Sequence, residues 1–131
     1  MPLKALEPLL SLGGIRFYGL QVGDQVQQLR EPWAASIEDL SELVGTFPET
    51  AAAMMNLDLI ISVDTSLAHL AGALGRPAYL PLAHVADWRW MRDRDDTPWY
   101  PTMRLFRQQR RSDWAKPILE IKKALQEKTT N

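Results

Sequence analysis

The stretch LDLIISV at residues 57–63 constrains this chain more than any other, because a near-continuous apolar run rich in β-branched residues suits a central strand buried on both faces. Such a strand belongs to a parallel sheet covered by helices. The residues downstream agree: TSLAHLAGALG reads as a helix stopped by Gly75 and Pro77, and AYLPL as a further short strand. Upstream, Thr46 with Glu49 matches a capping box and Pro48 sits in a tolerant first turn, which predicts a helix over about 48–56. Helices alternating with strands imply an α/β fold, a Rossmann-like parallel sheet flanked by helices.

The flanks extend this pattern. LKALEPLLSL spaces Leu3, Leu6, Leu9 and Leu10 as a helix closed by Gly13 and Gly14, and IRFYGLQ at 15–21 alternates as a strand. A loop is expected at Gly23 and Asp24, and the mixed segment from Arg30 to Gly45 offers a helix start at Ser36 and Asp39 and a short turn or strand at LSELV. Further on, a short helix is predicted near 87–93, a loop through DDTPWYP, a strand at MRLFRQ, and a closing amphipathic helix with Ile118, Ile121 and Leu125 on one face. The 131 residues are read as a single domain.

The junction VDTSLAH at 63–69 is where chemistry is expected. Ligands bind open parallel sheets at the carboxyl ends of strands, and the helix after such a strand offers unsatisfied N–H groups and a positive dipole end to an anion. Thr65 and Ser66 add hydroxyls there, and His69, four residues after Thr65, points its imidazole back toward that end. A packing reading stands beside this one, with Asp64 as helix N-cap, Thr65 and Ser66 as ordinary first-turn residues and His69 as a satisfied histidine. Capping is the preferred reading for Asp64, and anion binding for Thr65, Ser66 and His69. Leu67, Leu70, Ala71 and Leu74 are assigned to the core stripe of the same helix, and Ala68, Gly72 and Ala73 leave room for close approach to the sheet or to a ligand.

Composition removes several alternatives. With 15 Lys and Arg against 16 Asp and Glu, no global field attracts nucleic acid or an anionic membrane. The absence of cysteine excludes disulfides and thiolate chemistry, and two histidines make a metal site improbable, so no cofactor or metal is expected. No apolar stretch approaches the roughly 20 residues of a membrane span, and the amino terminus lacks a signal-peptide core, so the chain reads as a cytoplasmic protein.

The segment LDLIISVDTSLAHLAGALGRPAYLPL, followed by DWRW, DDTPWYPTMRLFRQ and DW, resembles the carboxyl-terminal domain of glycosyltransferases related to the heptosyltransferase family, nearest to bacterial members in which tetratricopeptide repeats precede it. The resemblance implies a GT-B architecture in which this domain holds a nucleotide-sugar donor, the chain's expected small-molecule partner, without a metal. Asp64, Thr65, Ser66 and His69 fall on the family's donor-diphosphate motif, and Gln21 on a strand end near the nucleotide. Related domains start with a further strand and a Gly-rich loop, and carry an acceptor domain upstream; this chain begins inside the first helix. The expectation is a donor-binding half that is inactive alone, with a gap in its sheet that a second copy or a partner protein completes. The alternative is a noncatalytic remnant or an oligomerising interaction module of the same fold.

Three of the five tryptophans, those of DWRW and TPWYP, remain to be placed. Packing is the preferred role for Trp88 and Trp90, whereas Trp99 and Tyr100, in a predicted loop, are candidates for lining a cleft. RDRDD at 92–96 and RQQRR at 107–111 are read as solvated surface, and His84 as a loop residue near the cleft.

Overall fold

Strand β4, Ala78–Leu82, occupies the middle of the main sheet, pairing in parallel with β3, Ile60–Ile61, on one side and β5, Met103–Arg107, on the other. This computed structural model describes residues 1–131. The run at 57–63 is therefore an edge of its sheet rather than the centre. Its first residues are still occupied with the preceding helix, since the Leu57 N–H closes a turn on Met54 O. A second, separate parallel pair joins β1, Phe17–Gly19, to β2, Ile37–Asp39.

Three α-helices cover the sheet: α1, Phe47–Met55; α2, Ser66–Ala73; and α3, Ala115–Thr130. The α1 start is the expected capping box, with Thr46 and Glu49 each bonding the other's backbone N–H. Alternation along the strands sends Ile60, Ala78, Leu80, Met103 and Leu105 to one face, where Met54 of α1 and Ala68 and Ala71 of α2 bury against them. Phe106 points the other way, into a cluster with Leu9 and with Ile118, Ile121, Ala124 and Leu125 of α3. The result is a Rossmann-like three-layer α/β arrangement of parallel strands flanked by helices. In α2 the fully buried positions are the two alanines, while Leu67, Leu70 and Leu74 are half-buried at the sides, because small residues let the helix lie close on the sheet.

Several local expectations are corrected. Ile37–Asp39 is strand rather than a helix start: the Asp39 carboxyl accepts the Ser41 N–H at 2.8 Å, which ends extension and begins a short 3-10 turn at Ser41–Leu43. That bond holds the Asp39 carboxyl below the ordinary carboxylate range. The expected loop at Gly23 is a 3-10 helix, Gly23–Arg30, and the Leu3–Leu9 segment is 3-10 rather than α, with Pro8 lacking the N–H an α-ladder needs. The predicted helix near 87–93 contracts to Trp88–Trp90, stopped where Met91 enters the left-handed region at φ 56°.

No ladder hydrogen bond links the two sheets. Ile60 N–H bonds Pro77 O at 2.9 Å and Ser62 N–H bonds Tyr79 O at 3.2 Å, so the alternating groups of Leu59, Ile61 and Val63 point to the opposite edge, where no strand pairs. Strand β1 likewise has β2 alone as its neighbour. No helix is long and apolar enough to cross a membrane.

Candidate functional site

Helix α2 begins at the carboxyl end of β3 after a tight turn through Ser62–Thr65. Its N-cap is Thr65, in extended conformation at φ −144°, and no side chain caps the helix. The expected capping role of Asp64 is thus not taken up. The first intrahelical bonds run from Ala68 and His69 N–H to Thr65 O, and the Ser66 and Leu67 N–H groups donate to nothing in the protein. Asp64, Thr65 and Ser66 are all exposed around this open end. Ser62, which sequence reasoning did not single out, adds its hydroxyl 3.3 Å from the Thr65 hydroxyl.

The Asp64 carboxyl turns instead toward His69, 3.7 Å from Nε2. The other ring nitrogen, Nδ1, lies 2.8 Å from the Tyr100 hydroxyl. Donation from Tyr100 to Nδ1 leaves the Nε2–H facing Asp64, the tautomer that suits both neighbours. The imidazole also stacks on Trp90, with ring centres 5.4 Å apart and planes 26° from parallel. Backward tilt of the helical side chain carries Nε2 to the amino-terminal end of α2, as the spacing implied.

Tyr100 reaches His69 because Gly72 makes room. A Cβ at that position would fall inside the Tyr100 ring, so the missing side chain is the seat on which the aromatic ring lies. Small size at Gly72 therefore serves close approach of a side chain from a distant loop. The sequence carried the signal, but nothing in it named Tyr100 as the occupant.

Beside His69 opens a cleft of about 270 Å³ lined by His69, Trp88, Arg89, Trp90, Trp99 and Tyr100. The expectation for Trp88 and Trp90 divides here. Trp90 is wholly buried, while Trp88 is 71% exposed, because the 3-10 turn at Trp88–Trp90 directs the two side chains apart. Trp99 is 54% exposed, and its indole N–H donates to Arg89 O at 3.0 Å. The Asp87 side chain accepts the Arg89 N–H at 3.0 Å and its guanidinium at 2.9 Å. The Arg89 backbone N–H, aided by the Arg89 charge, holds the Asp87 carboxyl below the ordinary carboxylate range.

Arg107 carries the loop that bears this cleft. Its guanidinium donates to Arg94 O at 2.9 Å, to Met91 O at 3.1 Å and to Trp90 O, so the residue is a half-buried clamp rather than solvated surface. Burial pulls its pKa below the ordinary guanidinium range. The RDRDD run is paired at the surface, Arg94 with Asp96 at 2.6 Å and Asp95 with Arg104 at 3.5 Å.

Of the residues expected to act together, the fold sets Asp64, Thr65 and Ser66 at the open start of α2, brings Asp64 and Tyr100 to the two ring nitrogens of His69, and lines one cleft with His69, Trp99 and Tyr100. Gln21 stands apart. Its amide oxygen folds against Gly19, buried and without a donor, and the side chain does not line the cleft. His84 does not line the cleft either: its backbone N–H donates to Gln108 Oε1 at 3.0 Å and its Nδ1 lies 3.4 Å from Gln108 O. No group of three or more His, Cys, Asp or Glu side chains is close enough to hold a metal ion.

Comparison with known proteins bears on the same segment. A model of glycosyltransferase family 9 (heptosyltransferase) matches residues 33–79, from the turn before β2 through α1, β3 and α2 into β4. Protein FlbA of Caulobacter vibrioides is 27% identical over 134 residues, covering 96% of this chain and 22% of FlbA. The chain thus spans about a fifth of the length of this curated relative. No solved structure matches.

Proposed function

We propose that this chain is a single domain that binds the diphosphate of a nucleotide-sugar at the amino terminus of α2, the donor side of a glycosyl transfer. The observation that carries the reading is the uncapped start of α2, with free Ser66 and Leu67 N–H groups and three hydroxyls beside them, inside the segment that the glycosyltransferase family model matches. Thr65 and Ser66 would donate to phosphate oxygens along with these amides. His69, held at Nδ1 by Tyr100, would turn the Nε2–H that faces Asp64 over to the same group as charge builds on the departing diphosphate. Asp64, which can only accept, holds the imidazole before the anion arrives and does not touch it. A positive helix terminus supplies the potential that a metal would otherwise provide. Transfer itself needs an acceptor-binding site in addition to this donor site.

Titration calorimetry with UDP, ADP and GDP checks this. Saturable binding of one of them is expected, weakened about five- to tenfold by Thr65→Ala and by His69→Ala in variants with unchanged circular dichroism. A folded wild-type chain that binds none of the three would leave the motif a matter of packing.

The open edges of β1 and β3 favour a second reading, in which a strand from a second copy or a partner chain completes the sheet. Light scattering over a wide concentration range is expected to reveal assemblies of the second-copy kind. A monomer whose Leu59, Ile61 and Val63 amides exchange quickly has an open edge that a partner strand can still take, and a monomer that protects those amides removes the idea.

A further inference from the structure

We infer that the cleft between Trp88 and Trp99 seats the glycosyl ring of the donor, an assignment that rests on diphosphate binding at α2. The cleft lies beyond the segment matched by the family model, which ends at residue 79, save for His69 on its wall. Two exposed tryptophans on one short loop region are unusual for side chains that normally bury 150–250 Å² each. These two are held in place without a ligand. The Trp99 indole N–H is tied to Arg89 O, and the Arg89 guanidinium lies 5.1 Å from the centre of the Trp88 ring while bonded to Asp87. A pinned, exposed indole is a preformed platform, since little side-chain freedom remains to be lost when a ring covers it.

Three features select the occupant. The volume, about 270 Å³, is at the small end of ligand pockets and suits one ring rather than a whole nucleotide. The rim is electrically balanced, with Arg89 matched by Asp87, which suits a neutral ring whose hydroxyls bond both groups while its apolar face meets indole. Position decides the rest. His69 belongs both to the first turns of α2 and to the cleft wall, so the group entering the cleft is one bonded directly to the diphosphate. In a nucleotide-sugar two rings are so bonded, the glycosyl ring and the ribose, and a cleft with room for one ring takes the glycosyl ring because the ribose brings its base with it.

The test compares UDP, ADP and GDP with UDP-glucose, ADP-glucose and GDP-mannose on the wild type, Trp88→Ala, Trp99→Ala and Trp99→Phe. Wild type is expected to bind the sugar nucleotide about three- to tenfold more tightly than the matching diphosphate. Trp88→Ala and Trp99→Ala should abolish that advantage and leave diphosphate affinity within about twofold. Trp99→Phe, which keeps a stacking face, should retain most of it. Equal weakening of diphosphate and sugar nucleotide by the tryptophan variants would overturn the assignment, by placing nucleoside rather than sugar in the cleft. So would sugar nucleotides that bind no better than diphosphates, which leaves the α2 site standing. Failure of every nucleotide to bind removes both readings together.

Discussion

Trp90→Ala is expected to destabilise the protein by about 3–5 kcal/mol, the loss typical of emptying a large aromatic site in a packed core. Trp90 is wholly buried in the cluster formed by α1, α2 and the main sheet, and its ring is the surface on which His69 stacks. The substitution therefore removes a wall of the core and a support of the candidate site at once. Urea unfolding followed by circular dichroism gives the first quantity, and the His69 ring proton shifts give the second, since those protons lie near the indole face. Trp90→Phe is expected to lose less, because the buried indole N–H has no acceptor and its removal relieves an unpaired donor. A Trp90→Ala protein within about 1 kcal/mol of wild type would mean that the site collapses freely, contrary to the packing described.

The second large effect is expected at Arg107. Arg107→Met should cost roughly 2–4 kcal/mol, since charge-assisted hydrogen bonds contribute about 1.5–3 kcal/mol each and those sharing one guanidinium do not add fully. Three carbonyls, those of Trp90, Met91 and Arg94, lose their donor together. The segment between them is strained on its own account, with Met91 and Asp93 both at φ 56°, a region that residues with a Cβ adopt at a penalty. Arg107→Lys should recover a minor part, as a point charge without the planar fork cannot serve three separated carbonyls. Limited proteolysis between Met91 and Asp96 is the direct readout: cleavage should rise in both variants, and more in Arg107→Met. Unchanged stability and unchanged cleavage would show that the loop holds itself.

Some of this architecture is legible without coordinates. The capping box at Thr46 and Glu49 is local, two side chains and two N–H groups within one turn, and it forms as read. Gly75, at φ 65°, closes the end of α2 as expected, and Ile118, Ile121 and Leu125 are the buried face of α3. In each case the decisive interactions span four residues or fewer, or repeat along one face, so pattern and structure coincide.

Other features depend on residues far apart in the chain. Asp64 is a good N-cap by type, yet its carboxyl turns to His69, whose other side is held by Tyr100, 31 residues away. Trp88 and Trp90 have the same chemistry and nearby positions, and a short turn exposes one and buries the other. Arg107 reads as the start of a basic surface run until the loop at 90–94 folds over it.

Residues 57–82 thus encode a parallel α/β unit and an open helix start through periodicity and end signals alone, because helix and strand formation there satisfies backbone groups locally or along one face. The split of the sheet, the seat of Tyr100 on Gly72 and the aromatic cleft depend on which distant surfaces meet. Those choices rest on shape and on the pairing of buried polar groups across the fold, and a linear string of residue types does not specify either.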